Sequence, residues 1–189
     1  MSRIIPPDLS RFFELHPTLE TERLRLRELT TTDVPDLHAY YSDPETALYV
    51  PFTAFTSIAD TEKLLGRVAN GFERKESFMF GVERKSDGKI IGISDLFNLS
   101  SQHLHAVIGW GLAKSYWGFG YMTEAVREVI RFAFEEMGMH RIEAECETEN
   151  IRSIRVAERC GMTLEATRVE NEINKGRFVS NYVYAIVRE

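Results

Sequence analysis

Apolar and polar positions change period several times along this chain, and each change marks a different element. Leu24 and Leu26 alternate with Arg23, Arg25 and Arg27, the two-residue period of a half-buried strand. Residues 33–41 read as a short helix that ends before Asp43-Pro44. Ser57-Ile58-Ala59-Asp60 has the form of a capping box with Asp in the Glu position, opening a helix that runs towards Arg74. Residues 77–85 and 89–98 are strand-like and flank Asp87-Gly88, a good hairpin turn. Residues 103–112 form a further strand carrying Gly109 and Gly111. Glycine inside a strand points to a bulge or to close approach by a ligand. Val126, Val129, Ile130, Ala133 and Met137 then recur at helical spacing after Thr123, the expected cap, and Gly138 is placed to end that helix. Residues 142–147 alternate again, 151–160 form a short helix stopped by Gly161, and 163–172 and 177–187 make a hairpin across Asn174-Lys175-Gly176. This order predicts an α/β (α+β) chain with a mixed sheet, not a regular βα repeat.

Composition narrows the class. A chain of 189 residues can bury a sizeable core as one domain, and no repeat or low-complexity linker divides it. No apolar run approaches the roughly 18 residues of a membrane span. The first 20 residues interleave Arg3, Asp8, Arg11 and Glu14 with apolar positions, so no secretory h-region is expected. Cys146 and Cys160 are too few for a disulfide framework, and a cytoplasmic setting is the default. A net charge of −6 argues against a nucleic-acid partner and agrees weakly with a cationic one. His103 and His105 share a strand face without a third ligand at suitable spacing, so no metal is expected. Phe12 and Phe13, in the Pro-containing N-terminal arm, are placed to cover the core or a neighbouring subunit.

The segment richest in chemistry is Ser115-Tyr116-Trp117-Gly118-Phe119-Gly120-Tyr121-Met122-Thr123-Glu124-Ala125. A strand, a turn with two glycines and a helix start together make an anion site. Unsatisfied N–H groups and the helix dipole favour negative charge there, and glycine lets the backbone approach a phosphate closely. The dinucleotide fingerprint fails because Thr123 occupies its third glycine position, and the P-loop fails because no Gly-Lys-Ser/Thr follows.

The turn is similar to the Gln/Arg-x-x-Gly-x-Gly/Ala signature of the GCN5-related N-acetyltransferases (GNAT superfamily). It most resembles the branch of ribosomal-protein N-terminal acetyltransferases, in which a strand ending Ile-Gly-x-x-Leu precedes Tyr-Trp-Gly-x-Gly-Tyr-x-Thr-Glu-Ala. Here those positions are Ile108-Gly109-Trp110-Gly111-Leu112 and Tyr116 through Ala125. Thr21 to Arg27 resembles the family's opening strand, Asn150 to Met162 its Asn-x-x-Ser segment, and Val183 to Arg188 its last strand. Trp117 stands at the Gln/Arg position, and Met122, replacing a small residue, would bring a long side chain near the pyrophosphate.

The resemblance implies a GNAT-type fold with a central, mixed, mostly antiparallel sheet of about seven strands, flanking helices and a splayed, bulged strand. An arm over 1–20 would precede a single domain over 21–189. It implies acetyl-CoA as donor, its pyrophosphate on the N–H groups of Trp117, Gly118, Phe119, Gly120, Tyr121 and Met122. The pantetheine arm would lie along the strand, and an N–H near Gly111 or Leu112 would polarise the thioester. Asn150 would serve the pantetheine amides or simply cap a helix. Ser153 would protonate the thiolate or be an ordinary first-turn hydroxyl. Glu172 would be the general base, with Glu170 as alternate, and Tyr184 could stand in as the acid. The implied acceptor is a peptide N-terminal amine, whose pKa near ~8 demands less of a base than lysine near ~10.4. A small-molecule amine (polyamine, aminoglycoside or amino acid) and a non-catalytic acyl-CoA-binding module are the alternatives. A homodimer is compatible with this reading.

Overall fold

A computed structural model describes residues 6–188. Eight strands form one sheet in the order β1-β2-β3-β4-β5-β6-β8-β7, one strand more than the seven expected. The extra strand, β1 (Leu19–Glu20), is a two-residue edge paired antiparallel to β2 (Leu24–Arg27). β3 (Phe78–Arg84), β4 (Lys89–Ser100) and β5 (His105–Leu112) continue the antiparallel ladder. β6 (Arg141–Glu147) then runs parallel to β5, and the hairpin of β7 (Thr163–Asn174) and β8 (Arg177–Val187) closes the far side with β8 against β6.

The helices divide between the two faces because the strands alternate. α1 (Val34–Tyr41) and α2 (Ile58–Glu73) cover one face, where Leu37, Tyr40, Tyr41, Ile90 and Ile93 form a small core. The Ser57–Asp60 capping box opens α2 as the sequence predicts. α3 (Tyr121–Glu135) and α4 (Ile151–Arg159) cover the other face, over a larger core that includes Phe78, Phe80, Ile108, Val129 and Phe132. Fully buried phenylalanines of this kind contribute roughly 1.5–3 kcal/mol each relative to exposure. The N-terminal segment lies on this core: Phe13 stacks on Phe78 at 4.2 Å and Phe12 meets Phe132 edge-on at 5.5 Å.

Two features position the site. β5 and β6 pair only over His105↔Arg141, Ala106↔Ile142 and Val107↔Glu143. Beyond Val107 the strands separate, leaving a wedge-shaped gap in the middle of the sheet. β5 and β6 are parallel, so they need a long crossover, and α3 provides it. Its start falls at the open end of the gap.

Candidate donor and acceptor sites

The turn before α3 has the geometry of an anion cradle. Gly118 and Gly120 have φ of +84° and +79°, left-handed values that cost another residue about 1–2 kcal/mol. Gly120, not the expected Thr123, caps α3, and the first helical bond runs from the Glu124 N–H to the Gly120 carbonyl. Among the described residues, the N–H groups of 118–123 donate to no protein acceptor. A Cβ on Gly118 would meet nothing within 4 Å, so the space beside the turn is open.

Several side chains brace this turn, and four of them, Thr21, Arg23, Glu124 and Arg152, have no part in the site on the sequence alone. Arg23 donates to the Phe119 carbonyl at 3.0 Å, pairs with Glu124 at 2.6 Å and stacks on Tyr121 with 4.5 Å to the ring centroid. Glu124 also accepts from the Thr21 hydroxyl at 2.6 Å and the Arg23 N–H at 2.9 Å. Burial works to raise the Glu124 pKa, but these bonds outweigh it and hold the group below its ordinary value. A carboxylate in the first turn of α3 is thereby neutralised where an anion would sit. Trp117 ties the turn to β5 through its indole N–H, 2.7 Å from the Leu112 carbonyl, and Arg152 of α4 lies over its ring at 4.4 Å. The Met122 side chain points into the core at 6% exposure, not towards the cradle as expected. A second concavity of about 660 Å³ opens beside the turn, lined by Thr21, Arg23, Gly120, Thr123, Arg127 and Arg159 among others.

The β4–β5 ladder is regular through Gly109 and Gly111, and its irregularity falls between Phe97 and Ser100 instead. The two glycines make room for side chains, not for a bulge. A Cβ on Gly109 would collide with a carboxylate oxygen of Asp95, and one on Gly111 would collide with the Tyr40 hydroxyl. The Ala113 N–H donates to the Ile91 carbonyl of β4. Antiparallel alternation then turns the N–H groups of Gly111 and Gly109 towards β4 as well. Those of Leu112 and Trp110 point into the gap. The N–H available to a ligand in the gap is thus on Leu112 or Trp110, and Gly111 is excluded by parity. Among the described residues the Trp110 indole Nε1 is buried without a partner, and the ring packs on the α3 face.

A cleft of about 430 Å³ passes through this gap. On the α3–α4 side it reaches Cys146, Asn150 and Ser153. Asn150 caps α4, its Oδ1 accepting from the Ser153 N–H at 3.2 Å, and the Ser153 hydroxyl lies 3.2 Å from the Cys146 thiol. On the α1–α2 side the lining is aromatic, from Tyr40, Tyr41, Tyr49, Phe52, Phe55 and Phe97, with Asp95 recessed in the floor. Burial pushes the Asp95 pKa up to about 6, although backbone N–H groups of Asp95 and Gly109 act to lower it. Among the described residues Asp95 has no ion-pair partner. Its charge is therefore available, and its pKa is suited to proton transfer near neutrality.

The residues expected to handle protons are not all brought together. Ser153 lines the cleft; Glu172 does not. Glu172 lies on the exposed side of β7 and accepts from Asn181 at 3.0 Å. Glu170 is exposed at φ +46° in the irregular part of β7, where the register shifts between Arg168 and Glu172. Tyr184 is buried outside the cleft with its hydroxyl 3.3 Å from Glu158. Nothing local in the sequence marks Asp95. Its place in the cleft follows from facing Gly109 across the β4–β5 ladder.

A split parallel strand pair, a glycine turn with free N–H groups at its mouth, and a cleft with a carboxylate on the opposite face define a protein built to bring an anionic donor and a second substrate together through the sheet. Residues 23–163 match the acetyltransferase (GNAT) domain, and the chain belongs to that family. It is therefore an N-acetyltransferase. It is 31% identical over 172 residues to the uncharacterized N-acetyltransferase YnaD of Bacillus subtilis, covering 90% of this chain and 97% of that one. It is 26% identical over 152 residues to the [ribosomal protein uS5]-alanine N-acetyltransferase of Escherichia coli, covering 78% of each. Among solved structures, a GNAT-family acetyltransferase from Bacillus anthracis superposes with a TM-score of 0.82 at 28% identity, over 90% of this chain and 98% of that one. Spermidine N-acetyltransferase from Vibrio cholerae, in complex with CoA and spermine, shares the fold with a TM-score of 0.77 at 21% identity, over 88% and 96%.

Proposed function

We propose that this chain moves an acetyl group from acetyl-CoA to a primary amine by direct attack, with Asp95 as the base. The observation that carries this is the pairing of two half-sites through one gap: free amides at 118–123 on one face and an unpaired, pKa-raised carboxylate on the other. The donor's pyrophosphate lies on the turn, its nucleotide end in the concavity beside Arg127 and Arg159, and its pantetheine arm along Trp110 and Leu112. Asn150 keeps its Nδ2 free for a pantetheine carbonyl while its Oδ1 caps α4.

The amine arrives from the α1–α2 side. As the C–N bond forms, the thioester oxygen gains charge that the Leu112 or Trp110 N–H stabilises. Asp95 accepts the proton released by the attacking nitrogen, directly or through one water. When the C–S bond breaks, the thiolate takes its proton from the Ser153 hydroxyl, which is replenished from solvent. No covalent intermediate with the protein is needed. The base role thus moves from Glu172 to Asp95, and Ser153 keeps the role that the resemblance implies.

A peptide N-terminal amine, expected from the resemblance, is supported by the name of the Escherichia coli relative, whereas the Vibrio cholerae neighbour acts on a polyamine. Thiol release from acetyl-CoA, measured over a panel of primary amines, tests the reading. Amine-dependent release that collapses in Asp95→Asn supports it. Stabilisation by acetyl-CoA without release for any amine would make the chain a binding module.

A further inference from the structure

From the acceptor half of the cleft we infer that the amine substrate is a compact monoamine with an aromatic or branched apolar body, neither a polyamine nor a peptide end. This rests on the acyl-transfer reading above. Three observations carry it.

The first is the charge balance. Three carboxylates line the cleft, Asp95, Glu145 and Glu147. Glu145 pairs with Arg168 at 2.5 Å, and Glu147 pairs with Arg177 at 3.4 Å and accepts from Asn174. Only Asp95 is left for an ammonium group among the described residues. At the rim, Arg67 is exposed and has no carboxylate partner among the described residues. A second ammonium on an extended polyamine would find no carboxylate there and would meet that guanidinium. Like charges in a partly desolvated cleft disfavour binding.

The second is the wall chemistry. Tyr41 stacks on Phe55 at 5.0 Å with an interplanar angle of 13°, and Phe52 lies 5.3 Å from Tyr41 and 5.7 Å from Phe55. Met79 and Ile93 extend the same surface. These walls give an apolar body favourable burial and give a peptide backbone few hydrogen-bond partners for its N–H and C=O groups.

The third is a clasp. Lys175, in the β7–β8 turn, donates to the carbonyls of Ala47 at 2.5 Å, Leu48 at 3.1 Å and Val50 at 2.9 Å. All three ammonium hydrogens are thereby used. The clasp pins the segment that carries Tyr49, Val50 and Pro51, three lining residues, against the hairpin. An extended chain leaving the cleft on that side would have to break it.

The test compares kcat/KM for 2-phenylethylamine, spermidine and short peptides with free N-termini, using the intact protein and acetyl-CoA. Expected is a preference of at least about tenfold for 2-phenylethylamine. Phe52→Ala should then raise its KM with little change in kcat. The exposed charge reversal Arg67→Glu should raise kcat/KM for spermidine. Thiol release fastest with spermidine or a peptide overturns this inference and leaves acetyl transfer standing. No release with any amine from protein that acetyl-CoA stabilises overturns the acyl-transfer reading, and this one with it.

Discussion

Replacing Asp95 by asparagine preserves the side chain's shape and removes its charge, and the structure predicts opposite effects on activity and stability. Burial raises this carboxyl from 3.8 to about 6. Between those values the folded chain binds more protons than the unfolded one, so stability falls as pH rises through the window. The contribution is fully present below pH ~4 and lost above pH ~6. At 1.36 kcal/mol per pKa unit, the ionised group costs the fold up to about 3 kcal/mol at pH 7. A carboxamide does not ionise, so Asp95→Asn should be more stable at pH 7 by up to that amount. In a chain of this size that is on the order of 6–12 °C in Tm, and the gain should vanish near pH 4. Activity should move the other way, with kcat falling by roughly 10²–10⁴-fold. The pH profile is the sharper readout. Both a neutral amine and an ionised Asp95 are required, so log kcat/KM should rise with a slope of two below about pH 6 and one above it. The variant should keep only the single slope. A variant that is less stable at pH 7 would refute the burial assigned to Asp95, and one that retains the double slope would refute its role as the base.

Other substitutions separate the parts of the site. Glu172→Gln should leave kcat/KM within about twofold, because the exposed carboxylate lies outside the cleft; a large loss in steady-state assays would return the base role to β7. Arg23→Ala should weaken acetyl-CoA binding, read by calorimetry, with little effect on acceptor KM, since it frees Glu124 beside the cradle and drops the bond to the Phe119 carbonyl. Gly111→Ala should destabilise the fold by about 1–3 kcal/mol in denaturant melts, because its Cβ would overlap the buried Tyr40 hydroxyl. Ser153→Ala should lower kcat without raising the KM for acetyl-CoA, as the Asn150 cap uses the Ser153 backbone and not its hydroxyl.

What the sequence revealed and what it hid follow from the range of the interactions involved. The Ser57–Asp60 capping box, the Asp87-Gly88 hairpin and the glycines of the 118–120 turn are local arrangements, and each is legible from neighbours in the chain. The glycine turn before α3 is of this kind, which is why it could be singled out as an anion cradle from the sequence. The acceptor half is not. Asp95 is recognisable only once β4 lies against Gly109 of β5, and Arg23 only once β2 lies beside the start of α3. Gly109 and Gly111 showed where space was needed without showing that Asp95 and Tyr40 fill it. Met122 was misplaced for a related reason: in the first turn of a helix, the backbone faces the ligand while the side chain can face the core. Glu172 matched by spacing alone, and spacing does not register the exposed, irregular course of β7.

Acetyl transfer as proposed requires the donor to lie on the turn and along the open side of β5. The most direct measurement is an amide-resolved NMR titration of the chain with acetyl-CoA. Saturable shifts should concentrate on the N–H groups of 118–123, Trp110 and Leu112, with the Asn150 side-chain amide following and the β7 edge at 169–173 unmoved. Shifts centred elsewhere, or a Gly111 amide that responds while Leu112 and Trp110 stay silent, would contradict it.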